Sequence, residues 1–180
     1  MTIRCALADS PNILVLGVGN LLRRDEGFGV HVVRLLSERY RESSSVSIVD
    51  GGTAGNSLLG AVLQCDHLIL VDVALMREEP GTLCRLEGST LNYVFKAKQS
   101  AHDWSFSEIL LEALMLGHAP TVVVIAAQPQ DIDRWSPELS PTLTSRVPDA
   151  VARVVAEIEA LGGILVPNAT DDATDIAEGR

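Results

Sequence analysis

Cysteine is scarce and poorly placed for a scaffold. Cys5, Cys65 and Cys84 are odd in number and widely spaced, with no C-x-x-C pair, which argues against both a disulfide framework and a zinc cluster. Cys65 and Cys84 read instead as small buried hydrophobes. Long apolar runs are missing too: the best candidates, Leu68–Val71 and Val122–Ala127, have strand length, far short of the ~20 residues that cross a bilayer. Positive charge is in deficit, with 14 Lys and Arg against 24 Asp and Glu and a formal net charge of −10. Such a balance opposes phosphate backbones and anionic lipid, so neither nucleic acid nor a membrane is an expected partner. Met1–Ser10 carries no secretory apolar core, and the expected compartment is the cytoplasm.

What is present is material for one core: 180 residues, 47% apolar and 21% charged. Asn12–Val18 is a short continuous apolar run ending among glycines, as expected of a strand buried on both faces of a parallel sheet. Phe28, Val32, Leu35 and Leu36 then trace the apolar stripe of a helix over 27–41. Val46–Val49 reads as a second strand stopped by Asp50-Gly51-Gly52, with Thr53 as the expected cap of a helix over 54–64. His67–Val71 and Thr121–Ala126 are further buried strands, and Thr82–Leu86 follows the Pro80-Gly81 turn. Residues 92–103 read as loop, and Ser105 or Ser107 is expected to cap a helix ended by Gly117. Pro129, Pro137, Pro141 and Pro148 predict an irregular connection, with a last helix over 149–161. Alternating strands and helices imply an α/β three-layer sandwich, a mainly parallel twisted sheet of about five strands with helices on both faces. The expected division is an extension over 1–11, a single domain over 12–167 and an acidic, disordered tail over 168–180.

Open α/β sheets bind ligands beyond the carboxyl ends of their strands. The first such loop holds Gly17 and Gly19, but Leu22 stands where a dinucleotide fingerprint needs a third glycine, and the helix starts too late to cradle a pyrophosphate. The loop offers Asp25 and Glu26 near a helix start, where favourable dipole electrostatics is the simplest role. Arg23 and Arg24 beside them are expected to face solvent. Asp72 is an acid in an apolar strand and must be paired, capped or bound to a cation. The loop before the helix near residue 106 supplies His102; His31, His67 and His118 are expected to be exposed and without special role. Glu26, Asp72 and His102 together offer two hard oxygens and one imidazole, a set suited to a divalent first-row metal with open coordination positions. No H-E-x-x-H, no G-x-S-x-G and no Cys–His signature is present, so zincin, serine and cysteine hydrolase mechanisms have no support.

The combination of Ile13–Leu22, Asp25–Val30, Asp50–Gly55, Leu70–Val73 with Pro80-Gly81, and His102 resembles the nickel–iron hydrogenase maturation endopeptidases over about residues 12–162. The resemblance implies a protease that removes a C-terminal extension from the hydrogenase large-subunit precursor after nickel insertion. It places the metal-ligand positions on Glu26, Asp72 and His102, with the nickel supplied by the substrate's cysteines and no organic cofactor. Whether that metal is only recognised or also polarises the scissile carbonyl stays open. Asp50, Gly51, Gly52 and Thr53 fall on the box associated with recognising the large subunit, and a strand-to-helix turn explains the two glycines equally well. The loop over 128–141, with Trp135, is a second place for substrate choice. A monomer is expected. The competing readings are a nucleotide-binding regulatory domain built on Gly17, Gly19 and Asp50, and a non-cleaving chaperone of the large subunit.

Overall fold

The computed structural model describes residues 11–91 and 106–168. Five strands form the main sheet: β1 (Ile13–Val18), β3 (Val46–Gly52), β4 (His67–Val73), β5 (Leu83–Glu87) and β6 (Thr121–Ala127). Their order is β3-β1-β4-β6-β5. All neighbours are parallel except the edge strand β5, which runs antiparallel to β6. Strand alternation sorts the apolar residues between two cores. Ile13, Val15, Ile69, Val71, Val123 and Ile125 face helices α1 (Phe28–Arg39) and α4 (Pro141–Ala160). Leu14, Leu16, Leu68, Leu70, Val124 and Ala126 face the other way, with Val62 of α2 (Leu59–Val62) and Ile109 and Ala113 of α3 (Phe106–Met115). Both faces of each central strand are therefore buried, which is why β1 and β4 read as unbroken apolar runs. Among the described residues no helix is long and apolar enough to cross a membrane.

Four expectations need correction. The helix placed over 149–161 starts eight residues earlier. Ser140 caps it by accepting from the Leu143 N–H at 3.3 Å, and Pro141 occupies the first turn, where its missing N–H costs nothing. Pro148 lies inside this helix on its exposed side, so the Thr144 carbonyl that loses its helical donor can face water. The helix over 54–64 shrinks to a 3-10 turn (Gly55–Leu58) followed by α2, and it has no side-chain cap, so Thr53 does not serve as one. Finally, Asn168 does not begin a loose tail. Its amide donates to the Ser37 and Glu38 carbonyls and its N–H to Arg39, closing the C-terminal turn of α1 beside the small ribbon formed by β2 (Tyr40–Arg41) and β7 (Val166–Pro167). The expectations for 92–103, for a cap at Ser105, for the extension before residue 11 and for the tail beyond Asn168 lie outside the described residues.

The histidines also differ from expectation. His118 approaches the Cys65 carbonyl with Nε2 at 2.8 Å, and a nitrogen of His67 is buried. Cys65 is buried as expected, which pushes its thiol up to about 11; Cys84 is half-buried. His31 is half-buried on α1, and burial holds its pKa below the ordinary 6.5 despite a hydrogen bond to the Pro137 backbone; Arg34 lowers it further and Asp50 raises it. A base with a depressed folded pKa binds fewer protons folded than unfolded, so its stabilising effect is complete above pH 6.5 and is lost as pH falls through the folded value. His31→Gln should therefore flatten the fall in melting temperature between about pH 7 and pH 5. Identical pH profiles for the two proteins would contradict this.

Candidate metal-docking site at the sheet edge

Three glycines decide how the acids reach the carboxyl edge of the sheet. A Cβ on Gly29 would collide with the Val18 and Val71 carbonyls, and one on Gly17 would strike the Gly29 carbonyl, so the start of α1 lies directly on β1 and β4. Gly19 has φ +140, and a Cβ there would collide with the Glu26 carbonyl. These glycines serve helix–strand contact rather than a pyrophosphate, which removes the main support for a nucleotide site. The 3-10 turn Arg24–Gly27 that carries Glu26 packs against β4, the strand that carries Asp72.

Glu26 has a side chain 22% exposed, with its Oε1 3.7 Å from Arg23 Nη1. Asp72 is 2% exposed, and its Oδ1 accepts from the Val73 N–H at 2.8 Å. The fold thus brings the elements bearing these two expected ligands together at one edge. His102, the third, lies outside the described residues, and among those described no three His, Cys, Asp or Glu side chains form a ready metal cage. Two carboxylates fit a divalent ion as hard oxygen donors that would complete a coordination sphere begun elsewhere.

The neighbouring acid plays a different part, one that the sequence reading missed. Asp25 is fully buried. Its Oδ2 accepts from the Gln130 and Asp131 N–H groups at 2.9 and 2.8 Å and from Ser140 Oγ at 3.0 Å, while Oδ1 accepts from the Ser140 N–H at 2.7 Å. It staples the loop after β6, and the N-terminus of α4, to the loop after β1. Gln128, 8% exposed, extends the same bracing by accepting from the Met76 N–H at 2.7 Å, which fixes the loop that follows Asp72. The Ser140-Pro141 pair was the available signal for this junction.

Arg23 and Arg24 do not simply face solvent. The Arg24 N–H donates to Ser136 O and the Ser136 N–H to Leu22 O, forming a parallel bridge between Arg23 and Ser136. Arg24 adopts φ 40 and places Nη1 3.7 Å from Asp131, while Arg23 places Nη2 3.7 Å from Asp133. The Arg134 and Asp133 N–H groups and the nearby Arg24 and Arg134 hold the Asp131 carboxyl below its ordinary range, against a smaller opposing effect of burial. Leu22 and Trp135, each one residue before a bridged partner, are 58% and 73% exposed.

The Asp50–Thr53 box is the end of β3. The register slips there, so Val18 pairs with Gly52 rather than Gly51. Gly52 has φ +45, and a Cβ on buried Gly51 would press on Leu16. Asp50 accepts from Arg34 Nε at 2.9 Å. Local geometry therefore accounts for both glycines and leaves Asp50 and Thr53 as surface groups.

A three-layer α/β protein with acidic residues at the carboxyl ends of parallel strands and on the turn packed against them belongs to the class that works at its sheet edge. Residues 30–157 match the model of the hydrogenase maturation protease family (HycI), a span that includes Asp72 and His102 and begins just after Glu26. The chain is 35% identical over 171 residues to the hydrogenase expression/formation protein HupD of Thiocapsa roseopersicina, covering 94% of this chain and 77% of that one. It is 34% identical over 157 residues to the hydrogenase 2 maturation protease of Escherichia coli, covering 86% and 95%. Its fold superposes on the hydrogenase maturating endopeptidase HybD of Escherichia coli with a TM-score of 0.79 at 33% identity, covering 87% of this chain and 98% of the other. The chain belongs to the hydrogenase maturation protease family. It is a peptidase of that family.

Proposed function

We propose that this peptidase removes the C-terminal extension of a nickel–iron hydrogenase large-subunit precursor, and that Glu26, Asp72 and His102 engage nickel already held by the precursor's cysteines. The observation that carries the reading is the packing of the Glu26 turn on the strand that carries Asp72. Two carboxylates at one edge, with the family's third position on His102, form an incomplete donor set whose remaining ligands the substrate would provide. Nickel is thus part of the substrate, and no organic cofactor is needed. The exposed residues Leu22 and Trp135, flanking the Arg23–Ser136 bridge, offer the precursor an apolar foothold, and Asp50 and Thr53 offer polar contacts at the end of β3. The protein would act as a monomer.

Incubating purified protein with purified nickel-loaded precursor should yield a shortened large subunit and a released peptide by mass spectrometry. A stable complex with an intact precursor would instead establish the chaperone reading.

A further inference from the structure

Arg23 stands against a proposed metal ligand. Its Nη1 lies 3.7 Å from Glu26 Oε1 and its Nη2 3.7 Å from Asp133 Oδ1, with the Arg23 side chain 32% exposed. The backbone on both sides is anchored: the Arg23 N–H donates to Asn20 O, the Glu26 N–H donates to Arg23 O, and residue 23 bridges to Ser136. Its Nε is buried with no hydrogen-bond partner among the described residues. The guanidinium lies beside Glu26, although neither contact is short enough for a direct hydrogen bond.

A fixed positive charge at that distance has opposite consequences for two forms of the same metal. A free divalent cation docking on Glu26 meets repulsion from Arg23. A metal already surrounded by thiolates arrives as an anionic group and meets attraction. Asp133 lies 3.7 Å from the same guanidinium and Asp131 pairs with Arg24 and Arg134, so Arg23 is the cation paired with Glu26 itself. We propose that Arg23 is a specificity-determining residue, a cation beside Glu26 that discourages capture of free divalent metal and favours metal presented inside an anionic thiolate complex. This rests on Glu26 being a ligand to substrate-borne nickel.

The test uses nickel ion alone, titrated calorimetrically into the full chain at low salt. Arg23→Gln should bind about three- to tenfold more tightly than wild type, Arg23→Lys should match wild type, and added salt should narrow the difference. The gain should vanish when Glu26→Gln is added. With nickel-loaded precursor, Arg23→Gln should raise KM while leaving kcat near wild type. Equal nickel affinity in wild type and Arg23→Gln overturns the proposal, as does a gain that survives Glu26→Gln or a Lys variant that behaves like Gln. The functional reading fails separately, if Glu26→Gln alone processes loaded precursor at the wild-type rate.

Discussion

Asp72→Asn is expected to slow processing of nickel-loaded precursor by at least about a hundredfold, and Glu26→Gln by a similar factor. Both exchanges remove a charge and change little else. At position 72, the Oδ1 that accepts from the Val73 N–H at 2.8 Å can be kept by Asn, so the end of β4 should hold its shape. At position 26, the backbone is fixed by its fit against Gly19 and the side chain is partly exposed, so Gln should cost less than about 1 kcal/mol of stability. Melting temperatures close to wild type with lost cleavage would locate the defect in the chemistry of docking. Undiminished cleavage by both variants would remove the carboxylates from the mechanism.

The second large effect falls on the residue next door and takes a different form. Asp25→Ala should destabilise the protein by about 3–5 kcal/mol, because three backbone N–H groups, that of Ser140 buried, and the buried Ser140 hydroxyl lose a shared acceptor. Asp25→Asn should cost less: its single carbonyl can keep either the Gln130 and Asp131 donors or Ser140, while its amide faces the remainder. Denaturant titration resolves the two. A loss below about 1 kcal/mol for Ala would mean that the stapled loop contributes little to the folded state. Adjacent acids in one motif thus separate, Asp25 as a buried anchor and Glu26 as the more exposed acid, the one proposed to meet the metal.

The layered fold was legible because parallel strands buried on both faces leave unbroken apolar runs, as at Ile13–Val18 and His67–Val73. Proline was the ambiguous signal. Pro141 starts a helix and Pro148 rides on its exposed side, yet in sequence both resemble breakers. Thr53 shows the opposite failure, since a good capping residue does nothing when the following turn is 3-10 and begins elsewhere. At the site, Asp72 was visible as an acid inside an apolar strand. The division of labour between Asp25 and Glu26 was not, because it depends on a loop more than a hundred residues away in sequence. The same distance hid the bridge between Arg23 and Ser136.

Under the proposed function, this peptidase would read metal on its substrate through Glu26, Asp72 and His102. The direct measurement is a side-by-side cleavage assay, by mass spectrometry, of one precursor prepared nickel-loaded and nickel-free. Loaded precursor should be shortened by wild type, nickel-free precursor should stay intact, and His102→Ala should abolish cleavage of the loaded form. Equal cleavage of both precursors by wild type would contradict the claim.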